Sequence, residues 1–307
     1  MNRCLGFLAL WYLSLSVQAQ ENTLADSLQL LLAQTQTDTH RVNLLNDLAW
    51  ELMFDYPDQA RTHLQSSLQL AQSIPYLKGA AQAYNNRGVV EDIEGNVDSA
   101  AHYFQEALLI RDSLGDLKGV ASIYNNNGKL MESKGESRLA LENHRKSLYL
   151  REELRDTQRM ARVNYNIGRV YESIGDYPEA LDHVFRYLEL SQGMDDDQES
   201  AFNAHSLIGN IKAELERFQE AEEHYLIALG IAQQRQDASQ LSLIYNNLGN
   251  IKDDLGERSY KDEHFDEALP LLQAALDYHH QSLAIRIQNE DSSGEGASYN
   301  NLGVVHK

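Results

Sequence analysis

Six glycines recur along this 307-residue chain at an almost constant spacing. The first five are 40 or 41 residues apart, the sixth follows after 54, and Ala49 extends the series upstream by 39 residues. A repeat of this length cannot bury a hydrophobic core alone, so neighbouring repeats are expected to stack into a solenoid. The six glycines are Gly88, Gly128, Gly168, Gly209, Gly249 and Gly303.

Each repeat predicts two helices, and the first contains this glycine. A tyrosine usually stands four residues earlier on the same helical face, and we expect the glycine to let the partner helix approach. Asn164 and His205 replace the tyrosine in two repeats. Seven residues after the repeat glycine, a second glycine marks the expected end of the first helix, where a positive φ is often needed. These turn glycines are Gly95, Gly135, Gly175 and Gly256.

The second helix carries an alanine, expected at a close contact, and a leucine eight residues later, expected in the core. The alanines are Ala60, Ala100, Ala140, Ala180 and Ala221, and the leucines are Leu68, Leu108, Leu148, Leu188 and Leu229.

The complete pattern resembles the tetratricopeptide repeat. This resemblance implies an all-α fold, a right-handed α-solenoid of stacked antiparallel helix pairs, with six repeats and the first helix of a seventh over residues 40–307. It also implies a scaffold that binds a peptide or protein segment in a concave groove. The ordinary repeat has about 34 residues, so each helix here is expected to be longer by just under one turn. Such longer repeats look like those of kinesin light chains and of bacterial peptide-responsive regulators.

Composition excludes several classes of partner and chemistry. The formal net charge is -20, so we expect no binding to nucleic acid or to an anionic membrane surface, because both attract positive charge. The sequence contains no phosphate-binding glycine loop, no H-E-x-x-H motif and no nucleophile elbow. We therefore expect no enzymatic activity, no cofactor and no metal site in this chain.

Residues 1–19 are typical of a secretory signal peptide. Arg3 precedes an apolar stretch over residues 5–17, and small residues at Val17 and Ala19 favour cleavage after Ala19. A membrane anchor is the alternative, but the stretch is shorter than the roughly 20 apolar residues that a span needs. We expect an exported, periplasmic or extracytoplasmic protein with no membrane insertion of the mature chain. The single cysteine, Cys4, precedes the cleavage point, which excludes disulfides and thiolate sites afterwards.

Residues 20–39 are predicted to form a linker and an N-terminal capping helix over Leu24–Gln34, from the helical spacing of their apolar residues. Together with the following RVNLLNDLAWEL, this region resembles the start of the extracytoplasmic repeat regions of bacterial two-component sensor histidine kinases. The resemblance implies the sensory part of a signal-transduction protein. The alternative is a free periplasmic adaptor that assembles protein complexes. A membrane span and kinase core encoded beyond Lys307 would favour the sensor, and an immediate stop would favour the adaptor.

Asparagine recurs inside the first helices in two rows, although it favours helix poorly. Asparagines two residues before the repeat glycine lie about 200° from it and are the binding candidates, whereas those three residues before lie about 60° from it and are expected to join neighbouring helices. Alternatively, both rows merely tie adjacent repeats together. The candidate binding row is Asn86, Asn126, Asn166, Asn247 and Asn301, and the other row is Asn85, Asn125, Asn246 and Asn300.

A row of amides suits an extended peptide, because each amide offers a donor and an acceptor to a main chain that carries both. Related arrays hold the main chain of their partner with asparagines at this position. Residues one helical turn away are expected to extend the surface; these include Lys129, Arg162, Arg169, Asn203, Asn210 and Asn250.

The three cations of this set, Lys129, Arg162 and Arg169, predict a site for a carboxylate of the peptide. The alternative is that Lys129 with Glu132, and Arg169 with Glu172, form ordinary ion pairs on an exposed helix.

The last interval contains 14 extra residues, near residues 259–280. Because 14 residues make almost four helical turns, they can lengthen a helix by about 21 Å and keep its register. Pro270 is expected to start the second helix after a short extra helix, since proline is tolerated in a first turn. The insertion is either a docking element or a tolerated excursion on one face.

Overall fold

The computed structural model describes residues 23–194 and 197–305, so the predicted signal peptide lies outside the described residues. Within those ranges all regular secondary structure is helical, and the predicted all-α class is confirmed. The chain divides into two compact units, Met1–Leu130 and Met131–Lys307.

The described part of the first unit, from residue 23, contains five complete helices and most of a sixth. Its core includes Val42, Leu48, Leu64 and Val90, all fully buried. The predicted capping helix occupies Leu24–Gln34, where Thr23 and Asp26 form a capping box, and it packs on the helix after it. The helices are α1 Leu24–Gln34, α2 Thr39–Leu52, α3 Pro57–Ser73, α4 Leu77–Ile93, α5 Val97–Ser113 and α6 Leu117–Ser133, whose last turn lies in the second unit.

The described residues of the second unit form eight further helices, and each packs on the helix that follows it. One core cluster surrounds Ile167 and Val184, and a second surrounds Tyr225 and Leu248. The helices are α7 Ser137–Glu153, α8 Thr157–Ser173, α9 Tyr177–Ser191, α10 Asp197–Glu214, α11 Phe218–Arg235, α12 Ala238–Lys261, α13 Phe265–Gln288 and α14 Ser292–Val305.

Gly88, Gly168, Gly209 and Gly249 lie where the two helices of a pair touch, as predicted, whereas a Cβ on Gly303 would meet nothing within 4 Å. A Cβ placed on Gly88 would lie 2.5 Å from the ring of Phe104, and one on Gly209 would lie 2.5 Å from the ring of Tyr225. These distances are too short for any side chain, so the contact needs glycine. The alanines of the second helices are also confirmed at buried positions, because all five are fully buried.

Tyrosine and its replacements form one recurring contact between paired helices. Four residues before the repeat glycine, Tyr84 stacks on Tyr103 in the first unit, and Tyr245 stacks on Tyr278 in the second. The two departures from the tyrosine pattern keep this contact with other chemistry. The Oδ1 atom of Asn164 lies 2.8 Å from Nδ1 of His183, and His205 stacks on His224.

The predicted end of the first helix is confirmed at three of the four turn glycines and is wrong at the fourth. Gly95, Gly135 and Gly175 have φ of +76°, +73° and +78°. Gly256, by contrast, lies inside α12 and is buried against Leu272. The prediction that the first helix ends there is wrong, because the insertion moves the turn to Glu263, which has φ +62°.

The insertion lengthens both helices of its pair, so the expected short extra helix is also wrong. α12 and α13 have 24 residues each, compared with 17 in several other repeats. Seven extra residues make about two turns, so each helix keeps the same face towards its partner. Pro270 lies inside α13 rather than at its start. Its missing N–H removes a single hydrogen bond near the helix end, which two long packed helices tolerate.

A buried arginine lies near the end of two second helices and binds the aspartate that precedes the next helix. Arg111 binds Asp116, and the guanidinium of Arg151 lies 2.9 Å from the carboxylate of Asp156. Arg111 also donates a 2.6 Å hydrogen bond to Gln82 on α4. In the sequence, the arginine and the aspartate of each pair have the spacing R-x4-D. The repeat pattern predicted from the sequence does not include this spacing.

Candidate functional site

The second unit contains a cleft of about 740 Å³ between the ends of α8, α10, α11 and α12. Three of the predicted binding residues line it together: Asn210, Asn247 and Asn250. Asn210 and Asn250 directly follow their repeat glycines, and Asn247 precedes Gly249 by two residues. The repeat therefore brings equivalent positions of neighbouring first helices to one surface. Apolar parts of the cleft come from Ala213, Phe218 and Ile251.

The amides in the cleft are oriented by the protein and keep unused capacity. The hydroxyl of Tyr225 donates a 2.8 Å hydrogen bond to Oδ1 of Asn210, and Nδ2 of Asn247 donates a 3.4 Å bond to the same atom. Nδ2 of Asn301 donates a 3.2 Å bond to Oδ1 of Asn250. The Nδ2 groups of Asn210 and Asn250 donate no hydrogen bond to any other described residue. The cleft thus offers fixed amide donors to an incoming carbonyl.

Carboxylates outnumber cations around the cleft. Two acids are neutralised by local pairs, because Arg258 binds Glu216 and the Lys261 ammonium lies 2.8 Å from Glu257. Among the described residues, no cation lies within ion-pair distance of the remaining acids. These are Glu172 on α8, Glu214 on α10, and Asp254 and Asp262 at α12.

Burial and neighbouring negative charges raise the pKa of two of these acids. Burial raises the pKa of Glu172, Arg169 opposes the shift, and the negative charge of Glu214 adds to it. Burial likewise raises the pKa of Asp254, with Glu257 and Glu214 adding to the shift and Arg258 and Lys261 opposing it. The charge of Glu214 therefore acts on acids of both neighbouring helices. The cleft holds negative charge that its own cations do not cancel.

The insertion supplies one wall of this cleft. Glu257, Arg258 and Lys261 lie on the extra turns of α12, beyond Gly256, and Asp262 caps that helix. The first helix of an ordinary repeat ends about two turns earlier. Without the insertion, the cleft would be open on this side.

Other residues of the candidate row are used within the protein. Asn86 is 1% exposed; its Nδ2 donates a 3.2 Å hydrogen bond to the Asn46 carbonyl, and its Oδ1 accepts one from Gln82. Nδ2 of Asn126 donates a 2.9 Å bond to Oδ1 of Asn85, so the two rows bond to each other. For these residues, the contacts are those of the alternative in which the amides tie adjacent repeats together.

The remaining predicted residues lie outside the cleft. Asn166 is buried, and Nδ2 of Asn203 donates a 3.3 Å bond to Glu199 on its own helix. Lys129, Arg162 and Arg169 are exposed. The guanidinium of Arg169 lies 4.0 Å from the carboxylate of Glu132, not of Glu172 as the ion-pair alternative expected. A carboxylate site at these cations stays a prediction.

Sequence reasoning missed the acids and the tyrosine of the cleft. Glu172 stands four residues after its repeat glycine, and Glu214 and Asp254 stand five residues after theirs, so their similar positions in the repeat were a usable signal. The many acids elsewhere in the chain made these three positions difficult to distinguish from the rest. Tyr225 was not distinguishable from a core residue, because its hydroxyl reaches Asn210 only through the pairing of α10 with α11.

The described residues contain neither a candidate membrane span nor a candidate metal cluster. None of their helices combines the length and the apolarity that a membrane span requires. No group of three or more metal-binding side chains occurs within the same residues.

Comparison with known proteins identifies the fold. Residues 119–192 match the sequence profile of the tetratricopeptide repeat family. No curated protein sequence matches the chain.

Three solved structures illustrate the similarity. BtubC (BKLC) from P. vanneervenii is 22% identical with a TM-score of 0.56, over 69% of this chain and 88% of that one. A STAND signal-transduction ATPase with a tetratricopeptide repeat sensor, from Pyrococcus horikoshii, is 16% identical with a TM-score of 0.62, over 91% of this chain and 43% of that one.

The third is the Rap conjugation gene regulator of the plasmid pLS20 in complex with the Phr* peptide. It is 19% identical with a TM-score of 0.54, over 81% of this chain and 65% of that one. The α-solenoid fold class predicted from the repeats is therefore confirmed: the chain has the helical-repeat fold of these structures, and its residues 119–192 match the tetratricopeptide repeat family.

Proposed function

We propose that this chain is a non-catalytic scaffold whose cleft between α8, α10, α11 and α12 binds an extended segment of a peptide or protein. The observation that carries the proposal is the unused hydrogen-bonding capacity of Asn210 and Asn250 inside a cleft of about 740 Å³. An amide held by Tyr225 on one side presents its Nδ2 group without having to reorganise, which reduces the entropic cost of binding a main-chain carbonyl.

A solved structure of the same fold supports this use of the array. The Rap regulator of pLS20 was determined in complex with the Phr* peptide, so a helical-repeat protein of this kind does hold a peptide. The support concerns the binding mode, because identity at this level fixes the fold and not the ligand.

The biological setting that we propose is the sensory extracytoplasmic part of a bacterial signal-transduction protein of the histidine kinase type. It rests on the signal-peptide pattern of residues 1–19 and on the resemblance of the segment that follows. The alternative is a free periplasmic adaptor that assembles protein complexes. The coding sequence after Lys307 distinguishes the two: a membrane span and kinase core would support the sensor. An immediate stop would support the adaptor.

Selection from a displayed library of random 12-residue peptides tests the binding proposal. The native chain is expected to enrich a set of peptides whose affinity falls at least about tenfold in a variant with Asn210, Asn247 and Asn250 all replaced by alanine. The matched control is Asn143→Ala, because Nδ2 of Asn143 bonds the Leu139 carbonyl of its own helix, away from the cleft. Equal binding by the triple variant, with helicity unchanged, would contradict the proposal.

A deletion tests whether the insertion serves the cleft or is a tolerated excursion. Removing residues 258–271 joins Glu257 to Leu272, so that Ala275 follows Gly256 by five residues, as Ala140 follows Gly135. The variant is expected to stay helical and to lose binding of the selected peptides, since the wall formed by the extra turns is gone. Native affinity in the folded deletion variant would identify the insertion as an excursion without a role in binding.

A further inference from the structure

We infer that the segment bound by this cleft is basic: an extended peptide that presents lysine or arginine side chains to Glu172, Glu214 and Asp254. The inference rests on the proposed function, because it assigns the chemistry of the ligand to the same cleft. It reverses the polarity expected from Lys129, Arg162 and Arg169, which predicted a partner with a carboxylate.

The first argument for a basic ligand is the position of the three acids. They lie on three successive first helices, α8, α10 and α12, and all three line the same cleft as the amides. An extended chain that crosses these helices meets one carboxylate at each. Side chains of a strand-like peptide alternate in direction, so main-chain groups can reach Asn210 and Asn250 while alternate side chains reach the acids.

The second argument is that the cations of the cleft are paired, whereas the three acids are not. The cations of the cleft are already used, because Arg258 binds Glu216 and Lys261 binds Glu257. Glu172, Glu214 and Asp254 form no ion pair with a described residue. Burial raises the pKa of Glu172 and Asp254, and the charge of Glu214 adds to both shifts. A cationic side chain placed among them would relieve this repulsion, whereas an anionic one would increase it.

Geometry separates this cleft from the general acidity of the chain. Exposed acids occur on many helices, and Glu214 and Asp254 are themselves exposed. In the cleft, however, they lie together with the half-buried Glu172, and a cleft concentrates the field of its acids. The amides and the wall formed by the extra turns of α12 add a fixed place for a main chain. Binding is therefore expected to depend on these three acids, and not on the net charge of -20.

Three probe peptides test the inference. Each is seven residues long with blocked ends, and serine alternates with lysine, glutamine or glutamate. The lysine peptide is expected to bind at least about tenfold more tightly than the other two, with an affinity that falls as salt is added. Isothermal calorimetry or fluorescence anisotropy measures the three dissociation constants.

Two variants with the same change in net charge locate the effect. In the cleft variant, Glu172→Gln, Glu214→Gln and Asp254→Asn are combined. In the control, Glu152→Gln, Asp182→Asn and Glu223→Gln remove three exposed acids from second helices of the same unit. The cleft variant is expected to bind the lysine peptide about tenfold more weakly than the native chain, and the control to bind it within about twofold.

Each outcome decides the question. Loss of lysine binding in the cleft variant alone supports a basic ligand. Equal loss in both variants, or no loss in either, overturns the inference, because attraction would then depend on net charge or on another site. Equal binding of all three peptides to the native chain overturns it too, but leaves peptide binding by the amides intact. Failure of every probe and of the library selection overturns both proposals.

Discussion

The Nδ1 atoms of His205 on α10 and His224 on α11 lie 2.9 Å apart, with the two rings stacked at 5.2 Å. One ring therefore donates and the other accepts. This pair occupies the place where Tyr245 and Tyr278 stack in the later pair of helices. Histidine thus keeps the ring contact of the repeat but adds a titratable hydrogen bond.

The histidine pair predicts a loss of stability in mild acid. Burial lowers the pKa of both imidazoles below the ordinary value of 6.5, and the nearby His224 adds to the shift for His205. In mild acid the folded state therefore binds fewer protons than the unfolded state. The stability that the pair contributes is fully present above about pH 6.5 and is lost as the pH falls below that value. The measurement is the free energy of unfolding in urea at pH 7.5 and 5.5.

The double variant His205→Tyr with His224→Tyr is the control for this prediction. It restores the tyrosine stack of the other repeats, so its loss of stability between pH 7.5 and 5.5 is expected to be smaller than that of the native chain by about 1 kcal/mol or more. Other histidines titrate in both proteins and cancel in the comparison. An unchanged pH dependence would show that the pair does not control acid stability.

Replacing His279 by phenylalanine is expected to stabilise the second unit by about 1 kcal/mol. His279 is 1% exposed, and neither ring nitrogen has a hydrogen-bond partner among the described residues. Its ring packs on Gly249 as the ring of Phe104 packs on Gly88, so the site accepts phenylalanine. The midpoint of thermal unfolding measures the gain, and His280→Phe, at an exposed neighbour, is expected to give none. A lower midpoint for His279→Phe would reveal an unseen partner of the imidazole.

Two glycines of one helix pair are expected to respond oppositely to alanine. Gly209→Ala would bring a methyl group against the ring of Tyr225, and we expect a loss of about 2 kcal/mol. A Cβ on Gly230 in α11 would meet nothing within 4 Å, so Gly230→Ala is expected to add about 0.5–1 kcal/mol through helix propensity. Denaturant unfolding separates the two. Equal effects would show that close packing at Gly209 is not required.

Truncation of a buried arginine is expected to cost more than truncation of an exposed lysine. Arg111→Ala leaves Asp116 without its buried partner and empties the space beside Gly119, so we expect a loss of about 3 kcal/mol. Lys146→Ala removes a pair with Glu142 in which both side chains are half exposed, and its loss is expected to stay below about 0.5 kcal/mol. Similar losses in urea unfolding would contradict a structural role for the R-x4-D pair.

Asparagines of the predicted binding surface are expected to differ according to their burial. Asn86→Ala leaves the Asn46 carbonyl unpaired in a buried place, with an expected loss of about 1–3 kcal/mol. Asn250→Ala, at an exposed position, is expected to change stability by less than about 0.5 kcal/mol. Urea titrations of the two variants provide the test. A stable Asn86→Ala protein would mean that its hydrogen bond contributes little.

The sequence by itself determined the local architecture. The helix pairs, the glycine at each close contact, the buried alanines and the capping helix over Leu24–Gln34 all follow from residues a few positions apart, because helical periodicity and turn conformation are local properties. The same locality explains the failure at Gly256. Its spacing is that of a turn glycine, yet the longer helices α12 and α13 pack on each other and override it.

Only the tertiary structure decided which polar residues face a ligand. Asn86 and Asn247 both stand two residues before their repeat glycines, but one is buried against a carbonyl 40 residues away and the other lines a cleft. The grouping of Glu172, Glu214 and Asp254 likewise depends on three helices from different repeats. Burial and the field of neighbouring charges arise from side chains distant in sequence, so the local pattern cannot supply them.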